Sequence, residues 1–183
     1  DANGGTGGTS ELMACGASIV PPTVTRANHI FIGWTPEVAA IVGETDLTYT
    51  ALWQSIPPTI LPKADSTTII DSDEFFIYGL RSGLTAEQFE SSFVYLSGNG
   101  SFVYSTTGLL GTGTKIDLID NNTGLVIHTY TVIIFGDVNG DGNIDDGDSG
   151  QIVDHENYLY NWSNNPEKLR AGDVNGDGEV DSL

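Results

Sequence analysis

The sequence predicts a multidomain, mostly β chain that ends in a small helical module. Three observations lead to this fold class. Short apolar runs with strand-like alternation, separated by Gly, Asn and Asp turns, recur through residues 29–135. A proline-rich stretch, SIPPTILP at residues 55–62, divides these runs into two groups and reads as a linker. The heptapeptide GDVNGDG then occurs twice, at residues 136–142 and 172–178, with a helical pattern between the copies.

The strong negative charge limits the partners of the chain. Its formal net charge is −19, and residues 136–183 carry 12 acidic against 2 basic residues. Nucleic acids and anionic membrane surfaces require a basic footprint, so both are excluded as partners. A segment this acidic repels itself unless a cation neutralises it. The lone Cys15 excludes an internal disulfide framework and a multi-cysteine zinc site.

The chain also lacks the marks of membrane insertion. No apolar run reaches the roughly 18–20 residues of a membrane span, and no signal peptide is present. We therefore expect a mature segment with no membrane insertion.

Residues 1–54 form the first predicted domain. Strands are expected at residues 29–34 and 47–53, and the second alternates well, with Leu47, Tyr49, Ala51 and Trp53 on one face. The glycine-rich start, DANGGTGG, suits a turn rather than a phosphate loop, because no helix pattern follows it.

This segment resembles the internalin-type B-repeat, a β-grasp-like module of bacterial surface proteins. The matching residues are DANGGTG at 1–7, FIGW at 31–34 and YTALW at 49–53. The strand that usually precedes the DANGG turn is missing, so the module is expected to be clipped at its start. The resemblance implies that Phe31, Trp34 and Trp53 are core residues and not a carbohydrate platform.

Residues 63–135 form the second predicted domain, a β-sandwich-like or α+β module. A helix is expected from Thr85 to about Tyr95, because Thr85 and Gln88 form a capping box while Leu84 and Phe89 can act as a hydrophobic staple. Strands are expected at residues 73–80, 101–105, 115–119 and 125–135. GTGTK at 111–115 precedes a strand rather than a helix, so it is not a dinucleotide-binding loop. This segment resembles the β-rich modules, such as X-modules, that precede calcium-binding modules in bacterial extracellular proteins.

The repeated heptapeptide opens a loop of twelve residues with oxygen donors at alternating positions. Gly142 stands at position 6, where a calcium loop needs a sharp left-handed turn, and Ile144 at position 8 is expected to pack into the core. Ca²⁺ takes six to eight oxygen ligands, whereas zinc prefers nitrogen or sulfur. The predicted ligands are Asp137, Asn139, Asp141, Asn143 through its backbone carbonyl, Asp145 and Asp148.

The second copy repeats this pattern from Asp173. Its predicted ligands are Asp173, Asn175, Asp177, Glu179 and Asp181. Because the sequence ends at Leu183, position 11 of this loop, the twelfth ligand and a following helix are expected to be missing. An ordinary EF-hand fits less well, since a strand rather than a helix leads into the first loop and position 12 is Asp148.

A loop followed by a helix, duplicated 36 residues apart, resembles the dockerin module (F-hand) of cellulosome-type bacterial assemblies. The exiting helix is expected at residues 149–160, with Ile152, His155 and Leu159 on one stripe. Residues 136–183 are thus the third predicted domain, incomplete at its C-terminus. The resemblance implies Ca²⁺ binding and a cohesin-type protein domain as partner. It places partner recognition on Asp146, Gly147, Val153 and Asp154.

The resemblance thus implies a non-catalytic, calcium-dependent docking region of a larger secreted bacterial multidomain protein, which binds a cohesin on a scaffold or cell surface. Common dockerins carry Ser or Thr followed by Lys or Arg at the recognition positions, so the cohesin class stays open. The alternative is a surface adhesin or spacer that calcium merely stiffens. An enzyme is disfavoured: GDSG at 147–150 resembles a protease nucleophile motif, but Asp148 is a predicted calcium ligand and no partner triad is evident.

Overall fold

The computed structural model describes residues 1–181 and divides the chain into two compact units, Asp1–Ile56 and a second that begins at Pro57. The division falls inside the stretch 55–62 that the sequence marks as a linker. The described chain is mostly β with few helices, as predicted. The helices found in residues 1–181 are all too short or too polar to cross a bilayer.

The first unit is built around an antiparallel hairpin of β1 (His29–Thr35) and β2 (Thr50–Ser55). Its small core consists of Ala2, Val24 and Ala51, with Trp34 and Trp53 packed against it. The expected core role of the two tryptophans is confirmed.

Two expectations for this unit are wrong. Phe31 is 39% exposed and lies beside a register shift in β1, although its ring makes T-shaped contacts with Trp34 and Trp53. Leu47 is 56% exposed and lies outside β2. The strand predicted to begin at residue 47 therefore begins only at Thr50.

The second unit contains a five-stranded sheet. Its strands, in spatial order, are β4 (Ile69–Asp71), β5 (Phe76–Tyr78), β9 (Leu125–Val132), β8 (Lys115–Asp120) and β7 (Gly100–Tyr104). All neighbouring pairs are antiparallel except β5 with β9. The strand predicted at residues 73–80 is wrong in its bounds, because only Phe76–Tyr78 of that range forms a strand. Residues 73–75 belong to a turn in which the side chain of Asp71 accepts the N–H groups of Asp73 and Glu74.

Helix α1 (Ala86–Ser92) covers one face of this sheet. Thr85 caps it, and the capping box with Gln88 is present in both directions. Leu84 and Phe89 are both fully buried in the core cluster, as the staple requires. The helix is shorter than predicted because the chain turns at Phe93 into β6 (Val94–Ser97).

The second half of the expected linker is not a free connection. Thr59–Pro62 forms β3, which pairs with β6 and buries Ile60 in the core of the second unit. Proline restricts where this strand can pair, and β3 accordingly belongs to a two-stranded ladder apart from the large sheet.

The C-terminal segment adds two helices, α2 (Asp146–Glu156) and α3 (Pro166–Gly172). Helix α2 starts three residues earlier than expected, because Asp145 caps it. Leu159 lies beyond its end and is 68% exposed, so the expected stripe reduces to Ile152 and His155, both half-buried.

This segment shares an apolar cluster with the sheet. Ile133, which directly follows β9, is fully buried against Val138, Trp162 and Ala171. We call this set the junction core. Phe76 and Tyr78 of β5 also pack against it.

Polar contacts tie the same two parts together. Arg170 on α3 donates to the hydroxyl of Tyr78 at 2.5 Å and pairs with Glu74. Its guanidinium also lies 4.6 Å from the ring centroid of Phe76. A second ion pair joins Lys115 of β8 to Glu167 at 3.6 Å.

Candidate metal centre

Residues 137–148, which we call loop 1, are held by hydrogen bonds between side-chain oxygens and nearby N–H groups. Asp137 at position 1 accepts from Gly140 through Oδ1 at 2.9 Å and from Gly142 through Oδ2 at 3.2 Å. Asn139 accepts from the N–H of Asp141 at 2.8 Å, and Asp141 accepts from Asn143 at 2.8 Å. The alternating oxygens thus turn the backbone into a tight coil.

Residues 173–181, the described part of loop 2, repeat this pattern position for position. Asp173 accepts from Gly176 at 2.8 Å and from Gly178 at 3.0 Å. Asn175 accepts from Asp177 at 3.1 Å, and Asp177 accepts from Glu179 at 2.9 Å. The rest of the predicted loop, Ser182 and Leu183, lies outside the described residues.

The glycine at position 6 makes this coil possible in both loops. Gly142 has φ of +87° and Gly178 has φ of +91°, values that residues with a side chain rarely adopt. The left-handed turn expected at position 6 is therefore present in each copy.

Loop 1 holds two buried carboxylates. Asp137 and Asp148 are 0% and 1% exposed. Burial raises the pKa of Asp137, its N–H partners oppose that shift, and the charge of Asp148 adds to it. An N–H bond from Asn143 lowers the pKa of the exposed Asp141. Two buried carboxylates in one loop favour the binding of a cation, because burying an unpaired charge is costly.

The donors fit Ca²⁺ in chemical type, but their described arrangement does not assemble a complete ligand shell. Within residues 1–181, no group of three or more His, Cys, Asp or Glu side chains is placed to hold a metal ion. The oxygens are engaged by the N–H groups of the loops themselves, and Asp145 and Asp148 also form the capping box of α2. The ligand assignments therefore stay predictions. When bound, the ion would offset the negative charge of these carboxylates.

The residues at position 8 differ between the loops. Ile144 is 54% exposed, so its expected place in the core is wrong. Its side chain lies beside Gly136 at the entrance of the loop, and the junction core is filled by Ile133 and Val138 instead. Val180, the equivalent residue of loop 2, does pack against the junction core.

The family comparison agrees with this geometry. Residues 135–183 match the model of the dockerin type I domain. The predicted C-terminal dockerin is thereby confirmed. Dockerins are non-catalytic modules that dock onto cohesins in a calcium-dependent way, and proteins that carry them are typically extracellular or cell-surface components of cellulosomes. No match to a curated protein or to a solved structure is found.

The four predicted recognition residues of the dockerin lie together on α2. Asp146 and Gly147 are exposed in its first turn, and Val153 is 44% exposed further along the helix. Asp154 is half-buried. The protease-like Ser149 lies on the same helix, and its hydroxyl donates to the backbone oxygen of Asp145.

The sequence interpretation misses the contacts that loop 1 makes outside the dockerin. The N–H of Thr112 donates to Oδ2 of Asp137 at 2.9 Å, and the N–H of Gly83 donates to the carbonyl of Gly142 at 2.7 Å. The one visible signal is the glycine spacing of GTGT at 111–114, which indicates close backbone approach. Nothing in that motif tells which partner approaches.

Proposed function

We propose that this chain is a calcium-dependent docking region of a secreted bacterial multidomain protein and binds a cohesin on a scaffold or cell surface. The match of residues 135–183 to the dockerin type I domain carries this proposal. The two loops also have the same hydrogen-bond pattern, which supports the proposal. In each loop, side-chain oxygens at positions 1, 3 and 5 accept from backbone N–H groups further along the loop. The ion would be held by the ligands assigned above, in one or both loops.

For the remaining segments we infer roles from resemblance. Residues 1–54 act as a β-grasp-like B-repeat of the internalin type, and residues 63–135 act as a β-rich module placed before the dockerin. Neither is assigned a catalytic role.

The calcium part is tested by thermal melting with and without a chelator. At an ion concentration about 100 times the dissociation constant, one site adds roughly 2.7 kcal/mol to the free energy of unfolding. For a unit of this size we expect a rise in the melting temperature of about 10 °C. Asp137→Ala plus Asp141→Ala should remove most of that rise. Calorimetric titration that detects no calcium binding by the unaltered chain would refute this part.

The docking part is tested by binding to a panel of cohesins of different classes. The matched variants are Val153→Arg on the proposed recognition surface and Val103→Arg on strand β7, two valines of similar exposure at 44% and 53%. We expect Val153→Arg to weaken binding at least about tenfold, the effect of losing one interface anchor. Val103→Arg should leave binding unchanged.

The alternative is a calcium-stiffened spacer or adhesin. The hydrogen bonds from Thr112 and Gly83 to loop 1 favour it, because they join the loop to the preceding module. Calcium binding without capture by any cohesin class would support this alternative over docking.

A further inference from the structure

Residues 109–114, the last part of the connection between β7 and β8, lie directly against loop 1. We propose that this segment, which we call the supporting loop, positions the first metal loop, so that loop 1 binds its cation more tightly than loop 2 and fills first. The inference rests on the proposed calcium binding.

The supporting loop donates a hydrogen bond to the position 1 carboxylate of loop 1. The described hydrogen bonds to Asp173, at position 1 of loop 2, all come from within that loop. Oδ2 of Asp137 accepts from the N–H of Thr112 at 2.9 Å in addition to the N–H of Gly142. Thr112 is itself fixed, because its hydroxyl donates to the carbonyl of Ile134 and accepts from the N–H of that residue, at 3.2 and 3.0 Å. The carboxylate at position 1 is therefore oriented from outside the loop.

The two backbones approach so closely that side chains are excluded at the contact. A Cβ added at Gly111 would lie 2.2 Å from the carbonyl oxygen of Gly140 and 2.6 Å from the nitrogen of Gly142. A Cβ at Gly142 would lie 2.7 Å from the Cβ of Leu109. Positions 4 and 6 of loop 1 are thus held against another part of the fold.

Among the described residues, loop 2 has no equivalent close backbone contact at its positions 4 and 6. Added Cβ atoms at Gly176 and Gly178, its positions 4 and 6, would meet nothing within 4 Å. Asp173 is only half-buried, whereas Asp137 is fully buried. The two loops share internal hydrogen bonds but differ in what surrounds them.

This difference affects ion binding through conformational entropy. A loop that is already ordered loses less backbone and side-chain freedom when the ion binds, so more of the interaction energy appears as affinity. We expect loop 1 to bind Ca²⁺ at least about tenfold more tightly than loop 2.

The test separates the loops by removing the ligands of one at a time. Asp173→Ala plus Asp177→Ala leaves loop 1, and Asp137→Ala plus Asp141→Ala leaves loop 2. Gly111→Ala is then introduced into each background, because the added methyl collides with loop 1 while Gly111 has no left-handed φ that alanine would strain. Gly108→Ala is the matched control, since its Cβ meets only the hydroxyl of Thr106 at 3.7 Å.

Calcium titration calorimetry should show that Gly111→Ala weakens loop 1 about tenfold or more and leaves loop 2 unchanged. Gly108→Ala should change neither. An unchanged loop 1 in the Gly111→Ala chain would overturn the inference. Absence of calcium binding by the unaltered chain would refute the proposed function itself, so the two failures are distinguishable.

A second measurement needs no variant and so does not depend on the folding of Gly111→Ala. Hydrogen exchange of the calcium-free chain should show the N–H groups of Gly140 and Gly142 exchanging more slowly than those of Gly176 and Gly178. Equal exchange in the two loops would contradict the proposed support.

Discussion

Replacing Ile133 by alanine tests whether the dockerin and the sheet before it share one core. Ile133 is fully buried in the junction core against Val138, Trp162 and Ala171. The change removes three carbon groups, each of which contributes about 0.8 kcal/mol when buried, and leaves a cavity. We therefore expect the free energy of unfolding to fall by about 3 kcal/mol. For the second unit this corresponds to a fall in the melting temperature of about 10 °C.

The assay is urea unfolding followed by the fluorescence of Trp162, the tryptophan of the second unit. A Trp162→Phe chain gives the signal of the first unit for subtraction. Ile144→Ala is the matched control, because Ile144 belongs to the same segment and is 54% exposed. We expect it to cost less than about 0.5 kcal/mol. If Ile133→Ala costs no more than this control, the shared core is refuted.

Two further predictions concern polar groups of the second unit. Arg170→Ala should lower the free energy of unfolding, measured in urea, by about 1–2 kcal/mol, because it removes a partly exposed ion pair and a cation–π contact. Added salt should reduce this loss, because both contacts are electrostatic and partly exposed. Arg81→Ala, at an exposed position, should have little effect. A loss for Arg170→Ala no larger than that for Arg81→Ala would contradict the contacts described for Arg170. Burial, together with the Glu90 carboxylate that its hydroxyl contacts at 3.0 Å, raises the pKa of Tyr104. Since the phenol of the unfolded chain titrates at about pH 10, the stability contributed by the neutral Tyr104 is complete below that pH and is lost as the pH rises above it. The stability of Tyr104→Phe should accordingly fall less steeply above pH 10 in alkaline unfolding curves, and an unchanged slope would exclude Tyr104 as the titrating group.

Features written in consecutive residues are the ones that the sequence predicts well. The capping box of Thr85 and Gln88, the staple of Leu84 and Phe89, and the left-handed glycines of both loops all depend on residues a few positions apart. Local geometry decides these features, so no knowledge of the tertiary fold is needed.

Features that depend on distant residues are missed. Thr112 and Asp137 are 25 positions apart, and Arg170 and Glu74 are 96 apart. Ile144 is apolar and in the motif position for burial, yet Ile133 from the preceding strand fills the core in its place. Helix α3 is also missed, because only seven residues form it and its buried residues, Ala171 and Gly172, give no apolar periodicity.

The junction core has a consequence for exchanging modules between proteins. The family match begins at residue 135, yet Ile133, Phe76 and Tyr78 contact the same apolar cluster from the preceding residues. A fusion tag cut at the family boundary would leave Trp162 and Ala171 uncovered and prone to self-association. A segment transferred to another protein should therefore begin at Pro57, where the second compact unit starts, so that the junction core stays covered.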